Sequence, residues 1–107
     1  GGGGGGGGGC KKMIVTIKGD SMSFKHKNNW QLYTEDEEEF FNKPKKIKPG
    51  KQSWKLKCIP DECYVLEIFD RKGNGMKKGW IRVKFGDTNY KGKFKNGNEK
   101  YMYINCD

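Results

Sequence analysis

"CIPDECYVLEIFDRKGNGMKKGW", residues 58–80, is the stretch on which the fold turns. Two cysteines bracket Pro60, Asp61 and Glu62, a turn-forming trio. "CYVLEIFD" follows with apolar side chains on both faces, the pattern of a central strand. Asp70-Arg71-Lys72-Gly73-Asn74-Gly75 then punctuates the chain, and "GWIRVKF" resumes with strict alternation: Ile81, Val83 and Phe85 on one face, Arg82 and Lys84 on the other. A strand, a glycine turn and an alternating strand exclude a helix here.

The same texture extends in both directions. Upstream, "KKMIVTIK" is β-branched, "NWQLYT" sets Trp30 and Leu32 against Gln31 and Tyr33, and "SWKLKC" sets Trp54, Leu56 and Cys58 against Lys55 and Lys57. Downstream, "YKGKF" alternates, "NGN" signals a hairpin, and "KYMYINC" closes the series. Seven short strands with turns between them predict an all-β, antiparallel β-sandwich forming a single domain over residues 10–107. The acidic block at 35–39 is the one helix candidate, and Pro44 limits it. Residues 1–9 are an oligoglycine arm, to be read as a flexible linker, a tag, an ordered arm docked on a neighbour, or an ordered segment of unassigned identity.

Composition narrows the function. Of 107 residues only 33% are hydrophobic, so a small core must be helped by staples. Cys10, Cys58, Cys63 and Cys106 permit three pairings. The favoured one is Cys10–Cys106, joining the first and last strands, with Cys58–Cys63 closing a local turn. A four-cysteine zinc site is the alternative, although no second close pair accompanies Cys58 and Cys63. Disulfides place the chain outside the cell, as a mature form or fragment of a secreted protein, since no signal peptide is visible. No apolar run approaches the length of a membrane-spanning helix, and no Asn-x-Ser/Thr sequon occurs.

The net charge is +9, with 22 basic against 13 acidic residues. Glu35, Asp36, Glu37, Glu38 and Glu39 form one acidic patch on an otherwise basic chain. The plain reading is a solvated lysine surface. The sharper one is a patch for a polyanion: nucleic acid, a sulfated glycan or an acidic protein. Only Arg71 and Arg82 are arginines, and lysine lacks the planar fork that reads bases, so nucleic acid is not the expected partner. Trp80, sharing its face with Arg82 and Lys84, is the best-placed aromatic for a glycan or a protein partner.

The Asp70 segment admits a calcium loop, a phosphate cradle or a tight turn. The cradle fails because a strand, not a helix, follows the glycines. A turn needs only positive φ at the glycines and Asp70 accepting nearby backbone N–H groups. A calcium loop would use the oxygens of Asp70 and Asn74, with Asp20 from another loop. No catalytic set stands out. Ser21 or Ser23, His26 and Asp20 crowd one loop without a nucleophile elbow, and enzyme activity is not expected.

The order Cys58-Ile59-Pro60-Asp61-Glu62-Cys63-Tyr64, then Ile68, Asp70 and Gly73-Asn74-Gly75-Met76, resembles a family of small secreted β-sandwich modules. These recur in extracellular and cell-surface proteins of algae, other protists and some bacteria. Their pattern reads C-L-P-D-G-C-Y-x-F-x-I-x-D-x-x-G-D-G-I-C. Cys10, "VTIKGD" and Trp30 extend the likeness upstream. The resemblance implies calcium at Asp70 with help from the Asp20 loop. Two departures lower the ligand charge: Asn74 replaces an aspartate, and His26 and Lys27 stand where acids are common. The cysteine after Gly-x-Gly is also absent, which leaves Cys58 for Cys63. The expectation is a non-enzymatic extracellular structural module, a filament or surface subunit. Copies would join head to tail through the N-terminal arm and the acidic patch. A glycan- or polyanion-binding module is the alternative.

Overall fold

A computed structural model describes residues 9–22, 27–36, 41, 45–73 and 75–106. Two antiparallel four-stranded sheets pack face to face, and no helix is found among the described residues. The strands are β1 (Cys10–Gly19), β2 (Asn29–Thr34), β3 (Lys45–Lys46), β4 (Gly50–Pro60), β5 (Tyr64–Phe69), β6 (Met76–Phe85), β7 (Thr88–Phe94) and β8 (Glu99–Ile104). Sheet A runs β4-β1-β6-β7 and sheet B runs β3-β2-β5-β8. The sandwich is as the alternation predicts. The added element is the two-residue β3, in the long connection where periodicity gives no signal.

Side chains alternate across each strand, so each sheet has an inner and an outer face. The inner face of sheet A presents Met13, Val15, Ile17, Ile81, Val83, Phe85 and Phe94. Sheet B answers with Trp30, Leu32, Tyr64, Leu66, Ile68, Met102 and Ile104. Trp30 meets the half-buried Trp54 edge-on with ring centroids 5.0 Å apart, and Tyr64 meets Phe85 likewise at 5.8 Å. These large rings compensate for the low apolar fraction. The apolar character of "CYVLEIFD" has the expected cause, since β5 lies between β2 and β8.

The disulfide pairing corrects the expectation. The bonds are Cys10–Cys58 and Cys63–Cys106, with Cα atoms 5.0 and 4.7 Å apart. The first and last strands lie in different sheets, so Cys10 and Cys106 are not neighbours across a ladder. Instead β1 pairs with β4, where Cys10 is level with Pro60, and Cys58 comes within reach. β5 pairs with β8, with Tyr64 level with Ile104, which brings Cys63 to Cys106. Each bond therefore staples one sheet. With all four sulfurs so engaged, the zinc alternative falls.

Cys58 is also exposed rather than inward. The β1–β4 register runs from Lys11↔Ile59 to Met13↔Leu56, so Lys57 and Cys58 together oppose Lys12. That bulge turns the cysteine out of the inward series.

Candidate functional site

The Asp70 segment links the sheets and is held by its own backbone. Asp70 is 1% exposed. Its Oδ1 accepts the Lys72 N–H at 3.0 Å and its Oδ2 accepts the N–H of Gly75. The Gly73 N–H donates to the Asp70 carbonyl at 3.1 Å, and Gly73 and Gly75 have φ of +87° and +73°. The loop also docks on the β7–β8 hairpin. Asp70 N–H donates to Asn98 O at 2.7 Å, and Gly97 N–H to Gly73 O at 3.1 Å. A Cβ on Gly75 would lie 2.6 Å from the Phe94 carbonyl oxygen, so only glycine fits. These are the features of the tight turn.

For the calcium set, Asp20 Oδ1 accepts the Met22 N–H at 3.1 Å, within its own turn. Asn74 lies outside the described residues, as do Ser23 and His26. Among the described residues, Glu35, Cys63 and Cys106 are the three potential ligands that come together, and both sulfurs are in a disulfide. Of the acidic patch, Glu35 donates its N–H to Cys63 O at 3.1 Å, and Asp36 Oδ1 accepts the Thr34 hydroxyl at 2.6 Å. Glu37, Glu38 and Glu39 lie outside the described residues, and so do residues 1–8 of the arm.

Trp80, Arg82 and Lys84 lie together on β6, facing away from the core. The Arg82 guanidinium sits 4.6 Å from the centroid of the Trp80 ring, a cation–π contact. A shallow depression of about 320 Å³ lies beside them, lined by Trp80, Arg82, Lys91 and Lys93.

The strand ladder shows that this trio belongs to something larger. Register sets Lys51, Lys18 and Trp80 in one row across sheet A. Ser53, Thr16, Arg82 and Lys91 form the next, and Lys55, Ile14, Lys84 and Asn89 the one after. Lys12 and Lys57 extend the array at one end, and Lys93 on β7 completes it. The four strands of sheet A carry twelve lysines and arginines and not one acid. Nine of these cations face outward. The ion pair found among the described residues, Lys11 to Asp61 at 3.6 Å, lies at the margin and involves none of the nine. Neighbours within a row, on adjacent strands, are about 5 Å apart, and successive rows about 7 Å. Among the described residues, the outer face of sheet A is thus a grid of positive charge with no acidic partner and one aromatic in it.

Sheet B differs. Its strands carry Lys45, Lys46 and Lys100 with Glu67 and Glu99. Its outer rows read Gln31–Glu67–Tyr101 and Tyr33–Val65–Tyr103. Sequence reading passes over Glu67, Tyr101 and Tyr103. The available signal is a lone acid inside an apolar strand. The segregation of charge by sheet is hidden because only the strand order reveals which strands are neighbours.

No protein-family model, curated protein or solved structure matches the chain.

Proposed function

We propose that this protein is an extracellular binding module that holds a linear polyanion, a sulfated or uronic-acid glycan, across the outer face of sheet A. The observation that carries this reading is the charge segregation: twelve cations and no acid on four adjacent strands. Like charges spaced about 5–7 Å apart repel one another, a standing cost that a polyanion relieves. Lysine offers point charges on flexible stems, suited to sulfate and carboxylate groups rather than to bases. Trp80, with Arg82 over its ring, supplies an apolar surface beside the depression against which a sugar ring can pack. Two disulfides accord with an oxidising, extracellular setting. Among the described residues no helix is long and apolar enough to cross a membrane.

The test is binding to heparin and chondroitin sulfate, with neutral dextran and single-stranded DNA for comparison. The reading expects salt-sensitive binding to the sulfated chains and none to dextran. Equal or tighter binding to DNA at matched charge would replace the glycan with nucleic acid. No binding to any polyanion at low salt would remove the function.

A further inference from the structure

The outer face of sheet B holds a carboxylate that water scarcely reaches. Glu67 lies on the central strand β5, in an outward-facing row, yet is only 8% exposed. Its Oε1 accepts the Gln31 side-chain N–H at 3.0 Å and the Tyr33 hydroxyl at 3.1 Å. Beside it, Tyr101 and Tyr103 on edge strand β8 are 45% and 57% exposed, and the Tyr101 hydroxyl donates to Glu99. These donors to Glu67 are neutral, and no cation pairs with it among the described residues. Lys46, at the far end of the face opposite Asn29, is the one cation in its outer rows. Phenol rings attract cations over their faces, and a desolvated carboxylate attracts them more strongly. Carboxylate and rings together form a seat for ammonium or guanidinium groups.

We propose that this face takes the basic outer face of sheet A of a second copy, so that copies stack sheet on sheet. Charge complementarity selects the occupant. Sheet A offers nine outward cations with no acid among them, and sheet B offers Glu67, Glu99 and the tyrosine rings. The two faces lie on opposite sides of one sandwich, so the contact is heterologous and leaves a free face at each end of a stack. Three strands of six residues cover roughly 14 by 20 Å. That footprint, roughly 280 Å² on each partner, falls below the roughly 1,000 Å² total of a stable interface, so association is weak, transient and dependent on concentration. The inference uses the same sheet A cations as the polyanion reading but needs no polyanion.

Sedimentation velocity on the full chain tests it. At low salt the expected result is a concentration-dependent series of species that collapses to monomer in high salt. Tyr101→Ala/Tyr103→Ala removes one seat, and Lys55→Glu/Lys84→Glu the other. All four positions are exposed, so both variants should fold. Each alone should be monomeric, with at least a tenfold loss of self-affinity. Their equimolar mixture should form a dimer and nothing larger, because each retains one intact face. Glu67→Gln should weaken stacking while leaving heparin binding unchanged. Parental association by the tyrosine variant would overturn the proposal, as would a mixture that stays monomeric. Failure to bind heparin with stacking intact would refute the polyanion reading alone.

Discussion

Removing the Asp70 carboxylate should cost the fold about 3–6 kcal/mol. The side chain is almost wholly buried and accepts two backbone N–H groups, from Lys72 and Gly75. Hydrogen bonds to a charged group contribute about 1.5–3 kcal/mol each. In Asp70→Ala both donors lose this acceptor, and Gly75 is itself buried. Asp70→Asn keeps one acceptor oxygen but turns an N–H₂ toward a donor, for about 2 kcal/mol. Against a total near 5–15 kcal/mol, the alanine variant should be marginal. Urea unfolding with the disulfides intact, followed by tryptophan fluorescence, measures this directly. A loss below about 1 kcal/mol would refute the argument that the carboxylate holds the turn. The same titration with millimolar calcium separates the two readings of the loop. A turn gives the same deficit with and without calcium. A calcium ligand gives a parental stability rise on adding the ion that Asp70→Ala abolishes.

Peptide mapping under non-reducing conditions should return Cys10–Cys58 and Cys63–Cys106, and loss of either bond should cost about 4 kcal/mol in the chain-entropy model. Gly75→Ala should destabilise far more than Gly97→Ala by thermal unfolding. Both glycines have positive φ, but a Cβ at 75 strikes the Phe94 carbonyl whereas one at 97 meets open space. Tyr101 should ionise above the ordinary tyrosine range in an alkaline ultraviolet titration. Hydrogen bonding to Glu99, then to Glu67, holds its phenol above the usual range. The folded state therefore keeps this proton longer than the unfolded chain. The contribution to stability is complete below about pH 10 and is lost as the pH rises beyond it. Glu99→Gln should return Tyr101 toward its ordinary value.

The sandwich was legible because period-two alternation is local: Ile81, Val83 and Phe85 can be assigned to one face without knowing their neighbours. The Asp70 turn was legible for the same reason, since its glycines and its acceptor lie within six residues. Pairing between distant strands was not. The wrong disulfides came from taking the first and last strands as neighbours, whereas each lies in a different sheet. The outward turn of Cys58 needed the bulge opposite Lys12, which no composition signals. The candidate site was legible only as fragments. Trp80, Arg82 and Lys84 could be grouped on one strand, but Lys18, Lys55 and Lys91 join them only through the β4-β1-β6-β7 order. Glu67 is a single acid in an apolar strand, and only the strand order brings Gln31, Tyr33 and Tyr101 around it.

Heparin affinity across a salt series tests the central claim most directly. It should be measured for the parent, for Lys55→Glu/Lys84→Glu on the sheet A face, and for Lys72→Glu/Lys95→Glu in exposed loops outside it. The two variants change net charge equally. If the outer face of sheet A holds the polyanion, the logarithm of parental affinity falls linearly with the logarithm of salt concentration. The face variant loses both affinity and steepness, and the loop variant stays near the parent. Equal losses in the two variants would mean that net charge alone draws heparin to the protein, and the claim of a binding face would be contradicted.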